Sequence, residues 1–80
     1  MKNKVYGSRI KVEKILEKIN PLEPPQYNNK VKIISLGIDL KAEHLEVGQE
    51  LLIMSEAGYE IDNRMYITEN HIIEIIYPNN

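Results

Sequence analysis

Apolar residues fall into short runs, most densely in the C-terminal half. From Val47 to Tyr77 the chain reads VGQELLIMSEAGYEIDNRMYITENHIIEIIY. The runs LLIM, MYI and IIEII are divided by turn chemistry at Ala57-Gly58, Asp62-Asn63 and Glu69-Asn70-His71. Short β-branched and aromatic runs bounded by Gly, Asn and Asp predict antiparallel strands. Gly58 and Asn63 are residue types that accept positive φ in tight turns. Upstream, Lys30 to Leu36 reads as a strand that Gly37 ends, and Ile38 to Leu45 as a short charged connection. The segment NPLEPPQYNN, residues 20–29, reads as an extended loop, because Pro21, Pro24 and Pro25 lack donors and forbid a central strand or helix. Pro78 stops the last run.

Residues Arg9 to Ile19 carry two periods at once. Ile10 and Val12 alternate with charge, as in a strand. Val12, Ile15, Leu16 and Ile19 are also spaced as one face of a helix. The propensities of Glu, Lys and Leu favour the helix.

Two runs are apolar on both faces. Strict alternation puts Leu51 and Ile53 opposite Leu52 and Met54, and Ile73 and Ile75 opposite Ile72 and Ile76. A lone small barrel buries only one set. Leaving four such side chains in water costs about 1.5–3 kcal/mol each. A chain of 80 residues makes one small domain, 1–80, which buries only ~60% of its unfolded surface. Small domains usually add disulfides, a metal or oligomerisation. There is no Cys, and His44 and His71 are the only histidines, so disulfides are excluded and a zinc site is not expected. Oligomerisation is the remaining option.

Charge adds mainly exclusions. The formal net charge is −2, with no clustered basic excess, so no nucleic-acid partner is expected. The basic N-terminal residues are interleaved with Glu13 and Glu17 and read as a solvated face. No apolar run approaches the ~20 residues of a membrane span. MKNKVYG lacks the apolar core of a signal peptide. With the absence of cysteine, these features fit a cytoplasmic protein.

Catalytic chemistry is not visible. The four glycines are widely spaced and form no phosphate loop. Ser8, Ser35 and Ser55 have no nucleophile-elbow context. His44 reads as a surface residue and His71 as a turn residue. Glu56, Glu60, Glu69 and Glu74 read as scattered solvent-facing positions. We expect no enzyme activity, cofactor or metal.

The order of elements resembles the C-terminal half of the GroES co-chaperonin family. The residues that carry the likeness are Val47-Gly48, Leu51 to Ile53, Ala57-Gly58, Glu60-Ile61, Met65 to Ile67, Glu69 and Ile72 to Ile76. Ser8 to Val12 resembles that family's first strand, and KVKIISLG, Lys30 to Gly37, the strand after its mobile loop. About half the chain is touched, in the family's order. The resemblance implies an all-β fold, a small partly open antiparallel β-barrel. It also turns the ambiguous segment into a strand through about Ile15. Strands are then expected near 9–15, 30–36, 49–55, 59–62, 64–68 and 72–77.

The same resemblance implies a homo-oligomeric ring that caps a chaperonin and assists protein folding. The family's last strand pairs with the first strand of a neighbour. That implies a subunit interface from Val5, Tyr6, Ile10, Ile72, Ile73, Ile75 and Ile76. The family's docking loop corresponds to Leu16–Asn29, where the candidate partner-binding residues are Ile19, Pro21, Leu22, Pro24, Pro25 and Tyr27. This loop is short and has no Gly-Gly pair, and too little chain follows Gly37 for the family's roof hairpin. Two functions therefore stay open: a divergent co-chaperonin, cellular or phage-encoded, and a structural part of a larger assembly such as an auxiliary capsid protein of a virion. Two roles stay open for the loop as well, a docking element or a plug folded over the barrel.

Overall fold

A computed structural model describes residues 3–18, 20–41 and 43–77. The chain is all-β, one antiparallel sheet of six strands: β1 (Ile10–Glu17), β2 (Gln26–Leu36), β3 (Glu50–Ile53), β4 (Tyr59–Ile61), β5 (Arg64–Ile67) and β6 (Ile72–Ile76). The strand order is β4-β5-β1-β2-β3-β6. A 3-10 turn, Glu69–His71, leads into β6.

The sheet is curled, and a length argument shows why. Strands β5 and β6 stand four places apart in the sheet, which on a flat sheet is about 19 Å. The five steps from Ile67 to Ile72 reach at most ~18 Å when fully extended, and three of the residues between them are coiled in the 3-10 turn. Only a rolled sheet lets both pairings stand. The result is a small partly open barrel whose edge strands, β4 and β6, do not pair with each other.

Alternation fills the inside. Ile10 and Val12 of β1, Val31 and Ile33 of β2, Leu51 and Ile53 of β3, and Met65 and Ile67 of β5 form the buried core. Register brings them face to face: Ile10 pairs with Ile67, Val12 with both Met65 and Ile33, and Val31 with Leu51. Leu45 joins them from the connection read as short and charged.

Three local expectations are corrected. First, β1 runs on to Glu17 and β2 starts at Gln26, so residues 26–29 are strand rather than loop. Leu16 pairs with Tyr27 and Glu17 with Gln26. Asn29, at φ 62°, makes this possible, because the register shift beside it absorbs the extra residues of β2 as a bulge. Cross-strand pairing on both sides of β1 overrides the helical propensity of Glu, Lys and Leu.

Second, β6 does not alternate as strict geometry predicts. Ile53 pairs with Ile72 and Leu52 with Glu74, so Ile73 is skipped. This bulge turns Ile72 and Ile75 toward the same core, while Ile73 stays 60% exposed. Third, the β3 strand stops at Ile53, and Met54 lies outside it, exposed.

Candidate functional site

The β1–β2 connection is a stiff turn. The Asn20 carbonyl accepts from the Glu23 N–H at 2.9 Å, and the Asn20 side-chain oxygen accepts from the Leu22 N–H at 3.0 Å. Pro21 fixes the next φ, as suits the second position of a turn. Leu22 is held at the tip with 93% of its surface in water, and Pro21, Pro24 and Pro25 are exposed beside it. Ile19 lies outside the described residues. Tyr27 behaves differently: it sits in β2, half-buried, packed against the core. The segment thus does not act as one piece. Tyr27 covers the barrel, and Leu22 projects.

Tyr27 is held by a short chain of polar groups. Lys14 Nζ lies 5.2 Å from the Tyr27 ring centroid and forms an ion pair with Glu60. Glu60 reaches it because Tyr59 and Ile61 face outward, leaving Glu60 on the side of its partner Met65. The hydrogen bond to the Glu60 carboxylate raises the Lys14 ammonium above its ordinary 10.5, partly opposed by desolvation. Desolvation raises the Tyr27 hydroxyl above its ordinary 10.0, and the Lys14 charge partly opposes this.

Both groups hold their protons more tightly in the folded chain. Their stabilisation is complete below the unfolded values and is lost as pH rises through the folded ones. We expect the melting temperature of the wild type to fall more steeply above about pH 10 than that of a Lys14→Met/Tyr27→Phe variant. Parallel curves from pH 8 to 12, about two units either side, would show that this cluster does not govern alkaline stability.

The interface candidates are spread across several environments. Val5 and Ile10 are buried within their own chain. Ile72 and Ile75 pack partly against their own core. Tyr6 is 74% exposed, Ile73 projects from the bulge, and Ile76 is half-buried on the edge strand. With Val47, Met54 and Tyr77, Ile73 leaves much apolar surface at the β6 end exposed.

The residues searched for chemistry have structural placements. The His71 Nδ1 accepts from the Thr68 N–H at 3.1 Å, and the His71 N–H donates to the Thr68 carbonyl at 3.0 Å, which closes the 3-10 turn. His44 is exposed, and its carbonyl accepts from the Gln49 amide. Among the described residues no group of three or more His, Asp or Glu side chains is set to hold a metal ion. No helix among them is long and apolar enough to cross a membrane.

Sequence reasoning missed one grouping. The two-residue turn Asp62-Asn63, with φ 52° and 64°, pairs Tyr59 with Tyr66 and Ile61 with Arg64. Tyr66 in turn pairs with Lys11, and Lys11 with Ser35. A row of outward-facing residues therefore crosses four strands. A hairpin reading of YEIDNRMY would have set the two tyrosines opposite each other.

The chain matches no protein-family model and no curated protein.

Proposed function

We propose that this chain is a non-enzymatic, self-assembling interaction module that serves as a divergent co-chaperonin, capping a chaperonin ring as its resemblance to the GroES family implies. The observation that carries this reading is Leu22, an apolar side chain 93% exposed on a hairpin tip, in the segment where that family carries its docking loop. The Asn20 hydrogen bonds and Pro21 restrict this tip before any partner arrives, so less entropy is lost on docking. Burying the side chain against a partner then gains about 1.5–3 kcal/mol per copy.

The sheet edges support the self-assembly part of this reading. Among the described residues β6 pairs only with β3, so its outer side carries backbone groups that none of them pairs. Ile73 adds exposed apolar area there. We expect Ile73→Lys or Ile76→Lys to lower the mass seen by light scattering. If both variants keep the wild-type mass, the interface lies elsewhere.

The functional test uses a purified chaperonin ring with ATP. The wild-type protein should co-migrate with the ring and slow its ATPase. Failure to bind any cognate ring removes the co-chaperonin reading. The second reading, a structural part of a larger assembly such as an auxiliary capsid protein, is favoured by the tightness of the tip. A hydrogen-bonded four-residue turn without a Gly-Gly pair suits a fixed joint better than a mobile arm. Co-sedimentation with assembled shells, without chaperonin binding, would establish it.

A further inference from the structure

We infer that the outer face of β4, β5 and β1 is a nucleotide-binding cleft, a site separate from the hairpin tip. A cavity of about 280 Å³ lies there, near the lower end of the ~300–1,000 Å³ range of small-molecule sites. Four of its lining residues are cationic: Lys4, Arg9, Lys11 and Arg64. Among the described residues no carboxylate lines it, although the whole chain has more acidic than basic residues. The charge balance that argued against a nucleic-acid footprint hides this sorting by face. Alternation along β1 sends Lys11 outward while its neighbours Ile10 and Val12 go to the core.

Aromatic surface occupies the same cleft. Tyr59 and Tyr66 line it with ring centroids 5.7 Å apart and planes tilted by 31°. Tyr6 lines it too, from the N-terminal segment. That wall is fixed to the body of the domain. The Val5 carbonyl accepts from the Ile38 N–H at 3.0 Å, and the Gly7 carbonyl from the Asp39 N–H at 2.9 Å. The Arg9 guanidinium donates to the Tyr6 carbonyl at 3.2 Å.

This combination selects the ligand. Guanidinium forks match phosphate oxygens. Exposed tyrosine faces on a strand surface stack bases without regard to their identity. A carboxylate-bearing peptide would use the cations but leave the tyrosine faces idle. A nucleotide uses both, with its phosphate toward Arg9, Lys11 and Arg64 and its base on Tyr59 or Tyr66. A free nucleotide and one unit of a single strand share that chemistry.

The test is fluorescence anisotropy of a labelled single-stranded oligothymidylate at low salt, competed with a mononucleoside triphosphate and with polyglutamate. Arg64→Glu should weaken binding roughly tenfold or more. Tyr59→Leu, which keeps apolar bulk but no aromatic face, should weaken it roughly fivefold or more. Lys41→Glu, an equal charge change outside the cleft, should have little effect. Circular dichroism checks that each variant is folded. Competition by the triphosphate at stoichiometric excess would mark a free nucleotide as the ligand, and competition by oligonucleotide alone would mark a single strand. No binding by the wild type would overturn the proposal. So would equal losses from Lys41→Glu and Arg64→Glu. Polyglutamate competing as well as the oligonucleotide, with Tyr59→Leu unaffected, would overturn it in favour of an acidic protein partner.

Discussion

Gly58→Ala is expected to lower the melting temperature by roughly 10–25 °C, at about 4–8 °C per kcal/mol for a domain of this size. Two independent costs meet at this position. Gly58 has φ +76°, a region in which a side chain costs on the order of 1–3 kcal/mol. A Cβ there would also lie 2.3 Å from the Tyr66 carbonyl oxygen and 2.8 Å from the Ile67 side chain. The carbonyl belongs to β5, which is paired on both sides, so it yields only if the sheet moves. A domain of this length has only about 4–12 kcal/mol of stability to lose. Gly48 supplies the control. It also has positive φ, +96°, but nothing lies within 4 Å of its Cβ position. Gly48→Ala should therefore show the conformational cost alone, about 1–2 kcal/mol. Equal losses at the two glycines, measured by calorimetry, would mean that the close approach to β5 contributes nothing.

The architecture was legible where side-chain period and turn chemistry agreed. The β4–β5 hairpin follows from Asp62-Asn63, because both residues tolerate the positive φ that a two-residue turn demands. β3 and β5 follow from apolar residues two apart. Legibility failed where a bulge changed the count. Nothing in IIEII marks Ile73 as the skipped residue, since all four isoleucines present the same chemistry. The skip depends on how β3 meets β6. Likewise Tyr27 was read with the prolines as loop, because the pairing of Leu16 with Tyr27 requires a bulge near Asn29 that only a formed sheet displays. Leu45 was hidden by the charged residues around it. The outer-face grouping was within reach, since a hairpin register sets Tyr59 against Tyr66. Its third strand was not, because the pairing of Lys11 with Tyr66 joins residues 55 positions apart.

Leu22→Ser and Tyr27→Ala are expected to have opposite phenotypes, although they stand only five positions apart along one short segment. Leu22 already stands in water, so its replacement should shift stability by no more than about 0.5 kcal/mol. Under the proposed docking role, a partner would lose a leucine anchor worth about 1.5–3 kcal/mol per copy. In a ring that engages through several tips at once, such losses compound, because each engaged copy raises the effective concentration of the next. Binding to the partner assembly should fall below detection while the melting curve stays in place. Tyr27 is the reverse case. It is half-buried against the core, with Lys14 over its ring, and losing that ring should cost about 1–3 kcal/mol. The melting temperature should drop by several degrees per kcal/mol, and at temperatures where the variant is folded its tip should still dock. Calorimetry and co-migration on the same two samples separate the roles. If Leu22→Ser melts as early as Tyr27→Ala, the tip is part of the barrel's packing. If Leu22→Ser still binds, the partner is held elsewhere.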